Sequence, residues 1–164
     1  YHGVPQWKYA TQMFTRMGLT TLVSCRPDQV TSFGAQAPGI VVVPDHPDVS
    51  GHGPISGVLS AFRIRPWAGF LVLGCDYPWV TMEDLLPLKE QRSKQYDAIC
   101  FHREAEKVDE PLAAIYEASM IPILEHEFSQ GRYSLRKALL QCRTLRVSPV
   151  PKNLTSVDDP SSSH

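Results

Sequence analysis

Residues 51–86, GHGPISGVLSAFRIRPWAGFLVLGCDYPWVTMEDLL, decide the fold of this chain. They begin with a glycine-containing loop, continue into a segment with helical spacing, and then reach an unbroken apolar run at residues 70–73. Such a run is typical of a parallel strand that is covered on both faces. Asp76 follows the run, at the position where open α/β sheets bind ligands. The apolar residues with helical spacing are Ile55, Val58, Leu59 and Phe62.

The remaining chain alternates predicted strands with predicted helices. This alternation indicates an α/β fold of three layers, with a mostly parallel sheet and helices on both faces. We predict further strands at residues 20–24, 39–43, 96–101 and 145–150. We predict that helices begin at Pro5, Thr81, Pro111, Pro122 and Ser134, and that Pro87 ends or kinks the helix that follows Thr81 early.

Length and charge exclude several classes of protein. The 164 residues suit one domain, and 16 basic against 17 acidic residues leave a net charge of −1. This balance does not indicate a nucleic-acid or membrane-binding surface, and no apolar run reaches the roughly 18 residues of a membrane span. The four cysteines are isolated in sequence, which favours reduced thiols and a cytoplasmic protein.

Candidate site residues follow two of the predicted strands, and each has a structural alternative. Asp76 either serves a site or closes the turn after its strand, and Asp45 is the weaker candidate because a turn role explains it well. Gly53, Pro54 and Gly57 either let the backbone approach a ligand or allow a tight turn and close helix–sheet packing. From the residues alone, the prediction is an α/β domain that binds a ligand near Asp76.

Four segments together resemble the molybdenum cofactor guanylyltransferases. The strongest pair is GHGPISGVLSAF at 51–62 with FLVLGCDYPWV at 70–80, similar to their G-P-L-x-G and C-D-x-P blocks. Residues 110–140 resemble their E-P-L block and the helices after it, and residues 2–5 resemble the G-x-P that opens a long helix. Residues 153–159 resemble their N-x-N-T-P-E-D ending, with Thr155 in place of the second Asn.

The resemblance implies a nucleotide-diphospho-sugar-transferase-like, Rossmann-like fold and transfer of GMP from GTP to molybdopterin, with release of pyrophosphate. Asp76 would hold Mg²⁺ between the phosphates. The other implied nucleotide-binding residues are Ser24, Arg26, Asp45, Gly53, Pro54 and Gly57. The residues implied to face the pterin are Asn153 and Thr155.

The domain prediction is one nucleotidyltransferase-like domain over residues 1–155 and a disordered tail over residues 156–164. The family's first strand and its glycine-rich loop with a lysine precede the G-x-P segment, so we expect them upstream of Tyr1. Three alternatives stay open: a related enzyme that uses CTP or a sugar phosphate, an inactive binding module, and one domain of a fused chain with partner proteins of the same biosynthesis.

Overall fold

Six strands form two sheets in the computed structural model, which describes residues 2–36 and 40–157. The first sheet is a parallel pair, and the second has four strands in the order β3-β5-β4-β6. In the second sheet β4 and β6 are parallel, whereas β5 runs antiparallel to both β3 and β4. The strands are β1 Leu22–Cys25, β2 Val41–Pro44, β3 Phe70–Leu73, β4 Ala98–Arg103, β5 Val108–Tyr116 and β6 Thr144–Val147.

The same described residues contain six α-helices, and most begin where the sequence predicts. Thr81 and Asp84 form the predicted capping box, in which the Thr81 N–H donates to Asp84 Oδ2 over 2.8 Å. Ser134 Oγ accepts the N–H of Lys137, which caps the last helix as predicted. The helices are α1 Gln6–Arg16, α2 Val30–Gln36, α3 Pro54–Ile64, α4 Met82–Glu90, α5 Ile121–Ser129 and α6 Leu135–Leu139.

The four-stranded sheet is the middle of three layers. The side chains of its central strands point alternately to the two faces of the sheet. Ala98, Cys100 and Ala114 lie on one face and pack with apolar residues of α3, α5 and α6. Ile99 and Ile115 point the other way and join a second cluster with α1 and α4. Because both faces are covered by apolar side chains, the central strands carry continuous apolar runs rather than alternating ones. The predicted fold class is confirmed, with β5 as the antiparallel member of a sheet whose other strands run in one direction.

The helix predicted from Pro111 is wrong, because residues 108–116 form β5. Two-sided burial produced the error: β5 lies between β3 and β4, and an apolar segment buried on both faces has no strand-like alternation. The pairing register between β4 and β5 shifts between Cys100 and Phe101, where Pro111 is accommodated. Such an irregularity is where a residue without an N–H can lie inside a sheet.

Two smaller predictions also need correction. Pro87 does not end α4, which continues to Glu90, because Leu85 and Leu88 on either side are fully buried and hold the helix in place. Residues 156 and 157, predicted to begin a disordered tail, instead contact Asp76. The rest of the predicted tail, residues 158–164, lies outside the described residues, as does Gly39 of the predicted second strand. Within the described ranges no helix has the length and apolarity to cross a bilayer.

Candidate functional site

A cavity of about 840 Å³ separates the two sheets. All four residues of β1 line one of its walls, and all four residues of β3 line the opposite wall. β1 pairs with β2 on its other side and β3 with β5, so within residues 2–36 and 40–157 each strand leaves one edge unpaired. Open strand edges carry N–H and C=O groups that require partners. Within those ranges, the cavity therefore presents unpaired backbone groups on two opposite walls.

Six residues predicted to bind the nucleotide line this same cavity. They come from the end of β1, the end of β2 and the start of α3, which the fold brings to one edge of the sheets. Cys75, directly before Asp76, lines it as well, so the end of β3 lies at the same place. The six residues are Ser24, Arg26, Asp45, Gly53, Pro54 and Gly57.

The start of α3 has the backbone that the glycine prediction requires. Gly53 precedes the helix with φ of 76°, a conformation that strains side chains other than glycine, and Pro54 opens the first turn. A Cβ on Gly57 would lie 2.4 Å from Ser24 Oγ. The close helix–sheet packing considered for Gly57 is therefore present, and it brings the N-terminal turn of α3 to the cavity wall.

Two charged side chains at the cavity differ in their surroundings. Arg26 is exposed and forms a bidentate ion pair with Asp28, with N–O distances of 3.2 and 3.3 Å. Asp45 is half-buried, and burial raises the pKa of its carboxyl, while a hydrogen bond from the backbone N–H of Gly51 partly offsets that rise. The N–H of Asp45 itself donates to the Cys25 carbonyl over 3.0 Å, which fixes this residue between β1 and β2. Asp45 can therefore accept hydrogen bonds from a ligand in a partly dry environment.

Asp76 lies on the loop after β3 and is contacted by the end of the chain. Ser156 Oγ donates to Asp76 Oδ2 over 2.8 Å, and the Val157 N–H donates to the Asp76 carbonyl over 3.0 Å. Across the described ranges, no three His, Cys, Asp or Glu side chains gather into a metal-binding cluster. A cation at Asp76 would thus rely on one carboxylate and on ligand oxygens, which is how Mg²⁺ commonly binds nucleotide phosphates.

The structure does not bring Asn153 and Thr155 into the cavity. Asn153 Nδ2 donates to Asp84 Oδ2 over 3.0 Å, so it joins the last segment to the start of α4. Thr155 Oγ1 donates to the Lys152 carbonyl three residues earlier, which closes a local turn. Sequence reasoning missed Ser156, although it stands inside the segment 153–159 that carries the family resemblance. It also missed Leu112, which lines the cavity from β5.

These features define the class of the protein. An α/β domain with one antiparallel strand, a glycine-containing helix start and an aspartate after an apolar strand corresponds to the nucleotidyltransferase fold. Solved structures agree. Molybdopterin-guanine dinucleotide biosynthesis protein A from Archaeoglobus fulgidus superimposes with a TM-score of 0.75 over 95% of this chain and 80% of that chain, at 21% identity. The 2-C-methyl-D-erythritol 4-phosphate cytidylyltransferase from Thermus thermophilus gives 0.66 over 97% of this chain and 85% of that chain, at 16% identity.

Residues 1–146 match the profile of the MobA-like NTP transferase domain, and the chain belongs to that family. A probable molybdenum cofactor guanylyltransferase from Bacillus velezensis is 26% identical over 125 residues, which cover 74% of this chain and 60% of that protein. A molybdenum cofactor guanylyltransferase from Pseudomonas putida is 27% identical over 146 residues, which cover 86% of this chain and 71% of the relative. The chain spans about 60% of the length of the first of these relatives.

Proposed function

We propose that this chain is the nucleotidyltransferase domain of a molybdenum cofactor guanylyltransferase, which transfers GMP from GTP to molybdopterin in the cytoplasm. The observation that carries the proposal is the meeting of six predicted nucleotide-binding residues in one cavity, beside the loop that bears Asp76. The two relatives described above, both named for this activity, match 74% and 86% of the chain, which supports the choice of reaction.

In the proposed reaction, a phosphate oxygen of molybdopterin attacks the α-phosphorus of GTP. The bond from that phosphorus to the oxygen bridging the β-phosphate breaks, and pyrophosphate leaves with the electron pair. Catalysis then consists of positioning the groups and neutralising their charge. Asp76 would hold Mg²⁺, which supplies Lewis-acid stabilisation of the phosphate oxygens when bound. The Asp76 carboxylate is half-buried and its Oδ2 accepts a hydrogen bond from the neutral Ser156 hydroxyl, so this carboxylate is suited to serve as one ligand of such an ion.

Asp45 is the residue we propose to select guanine. A carboxylate accepts hydrogen bonds from the guanine N1–H and amino group, whereas adenine presents an acceptor at N1. Partial burial of Asp45 strengthens such charge-assisted bonds relative to those made in bulk water. Gly53, Pro54 and Gly57 would let the start of α3 lie against the nucleoside, while Ser24 and Arg26 would line the pocket from β1.

We further propose that polypeptide upstream of Tyr1 supplies a strand between β1 and β3, followed by the phosphate-binding loop. The two open strand edges support this, and so does the position of the first described residues. His2 hydrogen-bonds the Pro78 carbonyl, and Gln6 Nε2 donates to the Tyr77 carbonyl over 3.0 Å. The chain therefore enters α1 beside the end of β3, where a strand parallel to β3 would also end. The nucleotide would then occupy the Asp45 and Cys75 end of the cavity.

The first test compares nucleotides and the Asp76→Asn variant in the full-length protein. GTP with Mg²⁺ should raise the melting temperature more than CTP or ATP, because a ligand of the folded state stabilises it. Asp76→Asn should lower turnover by roughly 10²-fold or more, because it keeps the shape and loses the charge. The matched control is Glu90→Gln, which removes an exposed negative charge at the end of α4 and should leave turnover unchanged. A preference for CTP would favour the cytidylyl alternative, and binding of no nucleotide would favour an inactive module.

The second test addresses base selection through Asp45→Ala. Loss of a buried charge-assisted partner should cost about 1.5–3 kcal/mol, which raises the KM for GTP roughly 10- to 150-fold while ATP changes little. Asp48→Ala, in the same loop and 51% exposed, is the matched control and should leave the GTP/ATP ratio unchanged. If Asp45→Ala kept the parental preference for GTP over ATP, the proposed role in base selection would be refuted and Asp45 would serve only the turn.

A further inference from the structure

Glu110 is a buried carboxylate at the start of β5, only 7% exposed. It accepts from two side chains: the Tyr77 hydroxyl donates to Oε2 over 2.8 Å, and Arg103 Nε donates to Oε1 over 2.5 Å. Burial and the neighbouring Glu110 raise the pKa of the Tyr77 hydroxyl, which keeps it protonated as a donor. A buried ion pair is weak support for stability, since apolar residues of similar volume often do as well. Its contact with Tyr77, the residue that follows Asp76, therefore calls for another explanation.

Arg103 extends this contact to the C-terminal segment. A terminal nitrogen of its guanidinium donates to the Leu154 carbonyl over 2.5 Å, and the Leu154 side chain is fully buried in the apolar cluster that includes Tyr77. Two residues later, Ser156 and Val157 make the two hydrogen bonds to Asp76 described above. We call residues 153–157 the C-terminal strap, because they run from the Arg103 guanidinium to the Asp76 carboxylate.

These contacts form a closed ring of which Asp76 is a member. On one side Asp76 is followed in the chain by Tyr77, whose hydroxyl donates a hydrogen bond to Glu110. On the other side it is held by the strap, whose anchor is Arg103 on the same Glu110. A carboxylate on a loop can rotate between staggered side-chain conformers, and a donor on Oδ2 selects one of them. A misplacement of about 1 Å at a reacting group can lower a rate by about 10²-fold.

We infer that Arg103 and Glu110 are positioning residues that act on Asp76 through Tyr77 and the C-terminal strap. This inference rests on the proposed role of Asp76 in nucleotidyl transfer. Neither residue contacts the nucleotide in this scheme. Glu110 aligns the arginine and the tyrosine, Arg103 holds the strap, and Ser156 fixes the carboxylate.

The test uses the full-length protein with Arg103→Met, Ser156→Ala and the double variant. Each single change should lower kcat for GTP about 10- to 100-fold and leave the KM for GTP within about threefold, because the nucleotide contacts remain. The double variant should be no slower than the slower single variant. Arg103 and Ser156 act through one strap, so removing the second link of a released strap costs nothing more.

A matched control and a physical readout accompany the kinetics. Glu104→Gln, an exposed charge loss on the same hairpin, should leave kcat unchanged. Hydrogen exchange at the Val157 amide, which donates to the Asp76 carbonyl, should accelerate in Arg103→Met and stay slow in the control. The conservative Ser156→Thr variant keeps a hydroxyl and should recover most of the kcat that Ser156→Ala loses.

The inference would be overturned if the fold-losses of kcat in the two single variants multiplied in the double variant, because Arg103 and Ser156 would then act independently. A normal kcat in Arg103→Met or Ser156→Ala would also overturn it, since the strap would then be structural only. Asp76→Asn is measured in the same series. If Asp76→Asn is inactive and the strap variants are normal, the positioning role alone fails. If Asp76→Asn is fully active, the proposed role of Asp76 fails, and the positioning role with it.

Discussion

Gly74, between β3 and Asp76, provides a local test of the site geometry. Its N–H donates to the Leu112 carbonyl over 2.8 Å, which fixes the backbone at this point. A Cβ on Gly74 would lie 2.6 Å from Asp76 Oδ1 and 3.2 Å from Leu112 Cβ. Leu112 Cβ is attached to the backbone of β5 and cannot retreat, and Asp76 is held by the strap. Gly74→Ala should therefore push the carboxylate out of place and strain the sheet.

The size of this effect follows from overpacking. Forcing a methyl group into a filled site costs about 1–3 kcal/mol, which for a domain of this size corresponds to a fall of about 2–12 °C in Tm. The variant should also lose turnover, because the moved atom belongs to Asp76. Differential scanning calorimetry measures the first quantity, and pyrophosphate release from GTP measures the second.

Gly69→Ala is the matched control, because its added Cβ would overlap side-chain atoms to the same extent but those atoms are free to move. Its Cβ would lie 2.6 Å from both Arg92 and Glu117, but it meets the ends of two flexible side chains that form an ion pair. Arg92 is 52% exposed and can move away, so the change in stability should stay within about 0.5 kcal/mol. Equal losses in the two variants, or a Gly74→Ala protein with normal Tm and turnover, would refute the described packing around Asp76.

Two further predictions concern stability. Arg143 donates hydrogen bonds to Asp97 and lowers the pKa of that carboxyl from 3.8 to about 2. Because the folded-state pKa is lower than the unfolded one, the pair stabilises the fold above the unfolded pKa, and this stabilisation is lost as pH falls from about 5 toward 2. Because Arg143 is 65% exposed, we expect the pair to contribute about 1–2 kcal/mol to the free energy of unfolding. Asp97→Asn should lose this contribution at pH 7 in urea titrations, and its difference from the parent should shrink as pH falls toward 2 and vanish below that value. Gly57→Ala should destabilise the fold because its Cβ meets Ser24 Oγ at 2.4 Å, and Ser24→Ala should relieve part of that loss. A double-mutant cycle should give a coupling of at least about 0.5 kcal/mol, and additive losses would contradict that contact.

Local signals were enough to predict the elements that bear the proposed nucleotide-binding residues. Pro54 after a glycine marks the start of α3, the run at 70–73 forms β3, and Asp76 follows it at the loop. Each depends on a few neighbouring residues, such as the glycine with positive φ at position 53 or the unbroken apolar run of a short strand. The pairing of β1 with β2 and their separation from β3 could not be predicted in this way, because strand pairing depends on contacts distant in sequence.

The β5 strand shows why the rest of the site was missed. Residues 112–116 are apolar without alternation, and a proline stands before them, which is also how a buried helix begins. Only the pairing with β3 and β4 decides between the two structures, and that pairing is absent from the local sequence. The contacts of Ser156 with Asp76 and of Glu110 with Tyr77 were missed for the same reason, since they join residues that are 80 and 33 positions apart.

The antiparallel direction of β5 explains why Asp76 is the carboxylate suited to a cation. A parallel strand brings only its end to the ligand-binding edge, whereas β5 brings its start, and with it Asp109 and Glu110. Both of these acids are buried and neutralised by arginines, Asp109 by Arg146 and Glu110 by Arg103. Asp76 accepts from a neutral hydroxyl instead and has no ion pair among the described residues. Of Asp76, Asp109 and Glu110, the arginine pairs therefore leave Asp76 with its charge uncompensated, and that charge is what a phosphate-bound Mg²⁺ would neutralise.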